Sequence, residues 1–121
     1  MAEVYSTTRR PDPAEVRQLI RRAADAITTH GWTQGCWSTT DGRLDLQGAL
    51  YLAAYGVPIE VGGRPESAVL AEASVAVRHR IGSPLPPHIE PWNDEPGRTR
   101  SEVLAVLTAA ARAIAGGEGR G

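Results

Sequence analysis

The sequence predicts an all-α fold of about four amphipathic helices joined by long ordered loops, and three observations carry that reading. Apolar residues recur at three- and four-residue steps in separate stretches, as a helix that buries one face requires. Capping residues precede those stretches, and glycine follows most of them. The alternating segment VPIEVGGRP, by contrast, is broken by Pro58 and Gly62-Gly63, so it reads as loop and gives no support for a sheet.

Taken in order, residues 1–11 show no sustained period and read as a flexible arm. Asp12, Pro13 and Glu15 then form a capping-box arrangement with proline at the first helical position. Val16, Leu19, Ile20, Ala23, Ala24 and Ile27 make the apolar face of the helix that follows, and Gly31 suits a left-handed C-cap. HGWTQGCWSTTDGR forbids a regular element throughout, yet Trp32 and Trp37 are costly to leave in water, which predicts an ordered loop. Asp45 caps a second helix with Leu46, Ala49, Leu50 and Ala53 on one face and Gly56 as its stop. Gly48 inside that helix costs about 1 kcal/mol relative to alanine, which predicts close approach of another backbone.

A third helix is expected to begin near Pro65 and Glu66, run through Val69, Ala73, Ala76, Val77 and Arg80, and end at Gly82. SPLPPHIEPWNDEPG carries five prolines and reads as neither helix nor central strand, a connection long enough to be functional or an interface. Thr99 and Glu102 form another capping box, before a helix faced by Val103, Leu104, Leu107, Ala111 and Ile114. The single helical domain is thus expected over 12–115, with a disordered Gly-rich tail over 116–121.

Composition narrows the function classes. The 121 residues suffice for one core, but much of the 41% apolar content is alanine and there is no phenylalanine. So thin a core favours burial of a face against another chain. A net charge of -1 lacks the basic stripe that nucleic acid requires. All 13 basic residues are arginine, whose planar fork suits carboxylate, phosphate or sulfate, although a GC-rich genome produces the same bias. Cys36 is the lone cysteine, excluding an intrachain disulfide and fitting a reducing cytoplasm. No apolar run has the length of a signal peptide or membrane span.

Known catalytic signatures are missing. His30, His79 and His88 have no zinc-ligand spacing, so neither metal nor cofactor is expected, and His79 reads as a cation at a helix C-terminus. Cys36 lacks a neighbouring His or Asp and reads as a buried structural thiol. The composite candidate joins Trp32, Gln34, Trp37 and Arg43 from the first loop with Trp92, Asn93, Asp94 and Arg98 from the last. Aromatic walls with a few directional polar groups are the makeup of a small-molecule pocket. They are equally the makeup of a plug, in which Asp94 pairs with Arg98 and Asn93 satisfies loop backbone.

HGWTQG at 30–35, QGALYLAA at 47–54 and WNDEPGRTRSEVLAVL at 92–107 resemble a family of short actinobacterial proteins known as domain of unknown function 6197. Asp45 and Gln47 depart from its usual pattern. The resemblance assigns no general activity. Some members resemble small subunits beside natural-product pathways, including a pair resembling an enzyme that closes an aziridine-containing ring by expelling sulfate. Joined to the composite candidate, this predicts a subunit working as a homodimer or with a homologous partner, with a small-molecule site at the interface between loops 32–45 and 84–99. In a catalytic version Asp45 or Asp94 is the base and Arg43 and Arg98 hold the departing anion. The alternative is a non-catalytic interaction or accessory module, since Trp and Arg are also interface anchors.

Overall fold

Asp12 opens the first helix with its carboxylate accepting the Ala14 N–H at 2.9 Å, and α1 runs Pro13–His30. In this computed structural model residues 11–59, 67–82 and 89–119 are described, with side chains to residue 114. The expected arm at residues 1–10 lies outside them. Four further helices follow: α2 Leu46–Tyr55, α3 Ala68–Ile81, α4 Ile89–Asn93 and α5 Arg100–Gly119. The fold is all-α, with no strand among the described residues; Leu44 makes isolated bridges to Trp32 and Ser38 that order the first loop.

Helix α1 is the centre of the packing, with α5, α2 and α3 all against it. Its apolar stripe is buried at Val16, Leu19, Ile20, Ala23 and Ile27, while Ala24 is only half-buried. Opposite it lie Leu46 and Leu50 of α2, Leu70, Ala73 and Val77 of α3, and Val103, Leu107, Ala110 and Ala111 of α5. Each large aliphatic side chain buried this way contributes about 1.5–3 kcal/mol.

Several boundaries differ from the sequence reading, each for a local reason. Gly31 has φ +99° and ψ 167°, outside the left-handed well, and a Cβ there would lie 2.9 Å from the Arg43 Cγ. The third helix is capped by Ser67, whose Oγ accepts the Leu70 N–H at 3.0 Å, and the expected start at Pro65 and Glu66 lies outside the described residues. Leu70, absent from the expected apolar face, is buried, whereas Val69 and Ala76 are half-buried and Arg80 is exposed. The Pro-rich connection holds the short helix α4, contrary to the reading that its prolines forbid one. Pro91 sits in the first turn of α4, where its missing N–H would have had no intrahelical partner. At the far end the α5 backbone remains helical to Gly119, overlapping the expected tail, and residues 120–121 lie outside the described residues.

The caps at the site behave as the sequence predicts. Asp45 Oδ1 accepts the Gly48 N–H at 2.6 Å. Thr99 and Glu102 exchange the two bonds of a capping box, at 3.2 and 2.9 Å. Gly48 meets the close backbone approach expected of it: a Cβ there would overlap the Trp37 carbonyl oxygen and lie 2.9 Å from its carbon.

Candidate functional site

Two irregular segments, the α1–α2 loop at 31–45 and α4 with the turn after it, close onto one another around a single amide. Asn93 is fully buried. Its Oδ1 accepts from the Trp32 Nε1 at 2.7 Å and from the Leu46 N–H at 3.1 Å. Its Nδ2 donates to the Thr33 carbonyl at 3.2 Å and to Asp94 Oδ1 at 2.9 Å. That is the full capacity of an asparagine amide, so one side chain ties the loop, the start of α2 and α4 together.

The surrounding groups repeat the pattern. Gln34 Nε2 donates to the carbonyls of Asn93 and Glu95, both at 3.0 Å. Asp94 Oδ1 also accepts the Gly35 N–H at 2.9 Å, and Trp37 Nε1 donates to Glu90 Oε2. Arg98 lies over the Trp92 ring, 3.9 Å from its centroid, and its Nε donates to the Trp92 carbonyl at 3.0 Å. The same guanidinium pairs with Glu95 at 2.6 Å and Glu102 at 3.5 Å. The pairing of Asp94 with Arg98 anticipated in the plug reading is therefore replaced by these two glutamates.

Trp32, Gln34, Trp37, Asp45, Trp92, Asn93, Asp94 and Arg98 thus belong to one clasp. Arg43 stands apart from it: its Nε pairs with Asp41 at 3.3 Å, and both side chains are exposed. Hydrogen bonds from Thr39 and then Arg43 hold the Asp41 carboxyl below its usual range. Cys36 is exposed, which corrects the buried thiol read from its neighbours; the loop turns outward at 34–36 while Thr33 and Leu44 face in. His30 and His79 are exposed at the ends of α1 and α3.

Asp45 is the unusual electrostatic feature. It is 1% exposed, and its own N–H reaches the Trp37 carbonyl at 3.1 Å. Burial first, then the neighbouring carboxylates of Asp94 and Glu90, push its carboxyl up to about 7, against the opposing pull of the Gly48 and Gln47 N–H groups. A polar group so deep requires its hydrogen bonds, and no described buried side-chain atom lacks one.

Sequence reasoning missed Glu90, the acceptor for Trp37, because nothing in IEPWN marks a turn of helix that would aim it there. It also missed a row of rings in which Trp37 of the first loop lies 4.9 Å from Tyr51 of α2, and Tyr51 5.6 Å from Tyr55. The i, i+4 spacing of the tyrosines was the available signal. On another side, a cleft of about 720 Å³ is lined by Pro13, Val16, Val75, Ala76 and Ile114, with no sequence-predicted site residue in its wall. Among the described residues no group of His, Cys, Asp or Glu is arranged to hold a metal, and no helix is long and apolar enough to cross a membrane.

Helices packed on a central α1, with a buried-amide clasp tying two loops across one end, define a small all-α domain whose loop polarity is consumed in holding its own shape. Residues 11–113 match the model of a family of unknown function, DUF6197, and the chain belongs to that family. No curated protein and no solved structure matches it.

Proposed function

We propose that the protein is a non-catalytic helical subunit that binds a second chain, a copy of itself or a homologous family member, across the face of α2. The observation that carries this is charge. No residue of α2 is charged, yet Tyr51, Leu52, Ala53, Ala54 and Tyr55 all remain partly exposed. A helix apolar on all sides is normally enclosed, and interface cores are poor in charge and rich in Tyr and Trp. Trp37 extends the tyrosine row at one end, and Val57 and Ile59, 37% and 53% exposed, follow α2 at the other. The lone exposed thiol of Cys36 suits a reducing cytoplasm.

Sedimentation velocity tests the reading. The chain of 12.9 kDa is expected to form a species of about 26 kDa, alone or with a co-expressed family member, and Val57→Glu/Ile59→Glu is expected to return it to monomer. Both positions are exposed, so the fold tolerates the change. A monomer at about 1 mM that also ignores a co-expressed homologue overturns the proposal.

A catalytic reading retains one supporting observation. An Asp45 carboxyl near 7 is suited to general acid–base work, and with Asp94 it would serve the ring closure with loss of an oxyanion that the resemblance to natural-product enzymes implies. Against it stand the burial of Asp45 and the pairing of both expected anion holders, Arg43 with Asp41 and Arg98 with Glu95 and Glu102. Calorimetric titration with inorganic sulfate decides: saturable binding lost in Arg98→Ala favours catalysis, and no binding favours the subunit reading.

A further inference from the structure

Three carboxyl groups meet where the 31–45 loop, the start of α2 and α4 converge, and among the described residues none of the three is paired with an arginine. Asp45 is enclosed, with Oδ1 on the Gly48 N–H. Glu90 takes the Trp37 indole N–H, and Asp94 takes the Gly35 N–H and the Asn93 amide, so the donors around all three are neutral. Arg43 on the same loop is held outward by Asp41, and Arg98 beyond α4 is held by Glu95 and Glu102. The helices packed on α2 bring few other charged or titratable groups to it, and Arg22 of α1 lies at the far end, on the Ala53 carbonyl at 3.4 Å. His30 is exposed at the end of α1, the last turn of α3 carries Arg78, His79 and Arg80, and α2 itself brings only Tyr51 and Tyr55. The neighbouring charges that weigh on Asp45 are those of Asp94 and Glu90, and both are negative.

Ionising Asp45 therefore puts a negative charge on an enclosed carboxyl beside the half-buried carboxylate of Glu90 and the exposed one of Asp94. The strain falls on the contacts that enclose it: the Trp37 carbonyl against Gly48, and the Trp37 indole on Glu90. We propose that Asp45 keeps its proton in the closed clasp, and that losing it releases the 31–45 loop from α4, making the clasp a proton-operated latch. This goes beyond the subunit reading and does not rest on it.

The molecule supplies its own reporter. All three tryptophans of the chain sit in the clasp: Trp32 on Asn93, Trp37 on Glu90 and Trp92 under Arg98. Intrinsic emission and acrylamide quenching therefore read the latch, while far-UV circular dichroism reads the helices. Between about pH 5 and pH 8.5 the wild-type emission is expected to move red, with quenching rising about twofold, while helicity holds. The midpoint is expected near pH 7.

Asp45→Asn keeps an oxygen for the Gly48 N–H without a titrating proton, and its profile is expected to stay flat. Asp94→Asn keeps the Gly35 acceptor and removes one negative neighbour, which is expected to lower the midpoint by about half a unit or more. A flat wild-type profile overturns the latch. So does a transition that persists in Asp45→Asn, which would assign it to a group other than Asp45. Should Asp45→Asn fail to fold, the wild-type curve and the Asp94→Asn midpoint decide, an unmoved midpoint counting against the proposal.

Discussion

Replacing Asn93 by alanine removes the amide on which the clasp is built. The lost bonds are those to Trp32 Nε1, the Leu46 N–H, the Thr33 carbonyl and Asp94 Oδ1. Asp94 keeps the Gly35 N–H, so the cost falls on the other three groups. A buried polar group left without its partner costs about 1–3 kcal/mol. Taking the lower end for each of the three, and adding the space vacated by a fully buried side chain, gives about 3–5 kcal/mol. That is a large share of the roughly 5–15 kcal/mol that holds a domain together, and corresponds to a fall in Tm on the order of 10–20 °C. Urea unfolding followed by tryptophan emission and circular dichroism measures it, with the midpoint moving and the slope unchanged. A loss below about 1 kcal/mol, with Trp32 emission unaltered, would refute the view that Asn93 organises the two loops.

Two further substitutions probe the same region. Gly48→Ala should destabilise by about 1–3 kcal/mol despite alanine's higher helix propensity, because the new methyl overlaps the Trp37 carbonyl and backbone must move; an equal or raised Tm would contradict the contact. Folding raises the Asp45 carboxyl from 3.8 to about 7, so its contribution is fully present below about pH 4 and is lost as pH rises through 7. Wild-type protein is therefore expected to be more stable near pH 5 than near pH 8, by at most about 2–3 kcal/mol because part of the contribution is already lost by pH 5, and Asp45→Asn should flatten the dependence in urea titrations at the two pH values.

Much of this molecule could be read locally. The cap at Asp12, the cap at Asp45 and the capping box of Thr99 and Glu102 depend on a few neighbouring residues, and short-range hydrogen bonds suffice to place them. The three- and four-residue periodicity identified most of the core for the same reason, since a helix fixes which residues share a face before it meets another helix. Gly48 was legible too, because a glycine inside a helix carries a cost that some contact must offset. Packing had to supply the rest. Whether Asn93, Gln34 and Arg98 face a ligand or face each other depends on bonds spanning some 60 residues of chain for the first two, and on a stack over Trp92 for the third. Spacing within a segment says nothing about such partners. The outward turn of Cys36, the helical turn containing Pro91 and the enclosure of Asp45 beside Glu90 and Asp94 were likewise decided only when two loops met, because burial and charge proximity are properties of the assembled chain.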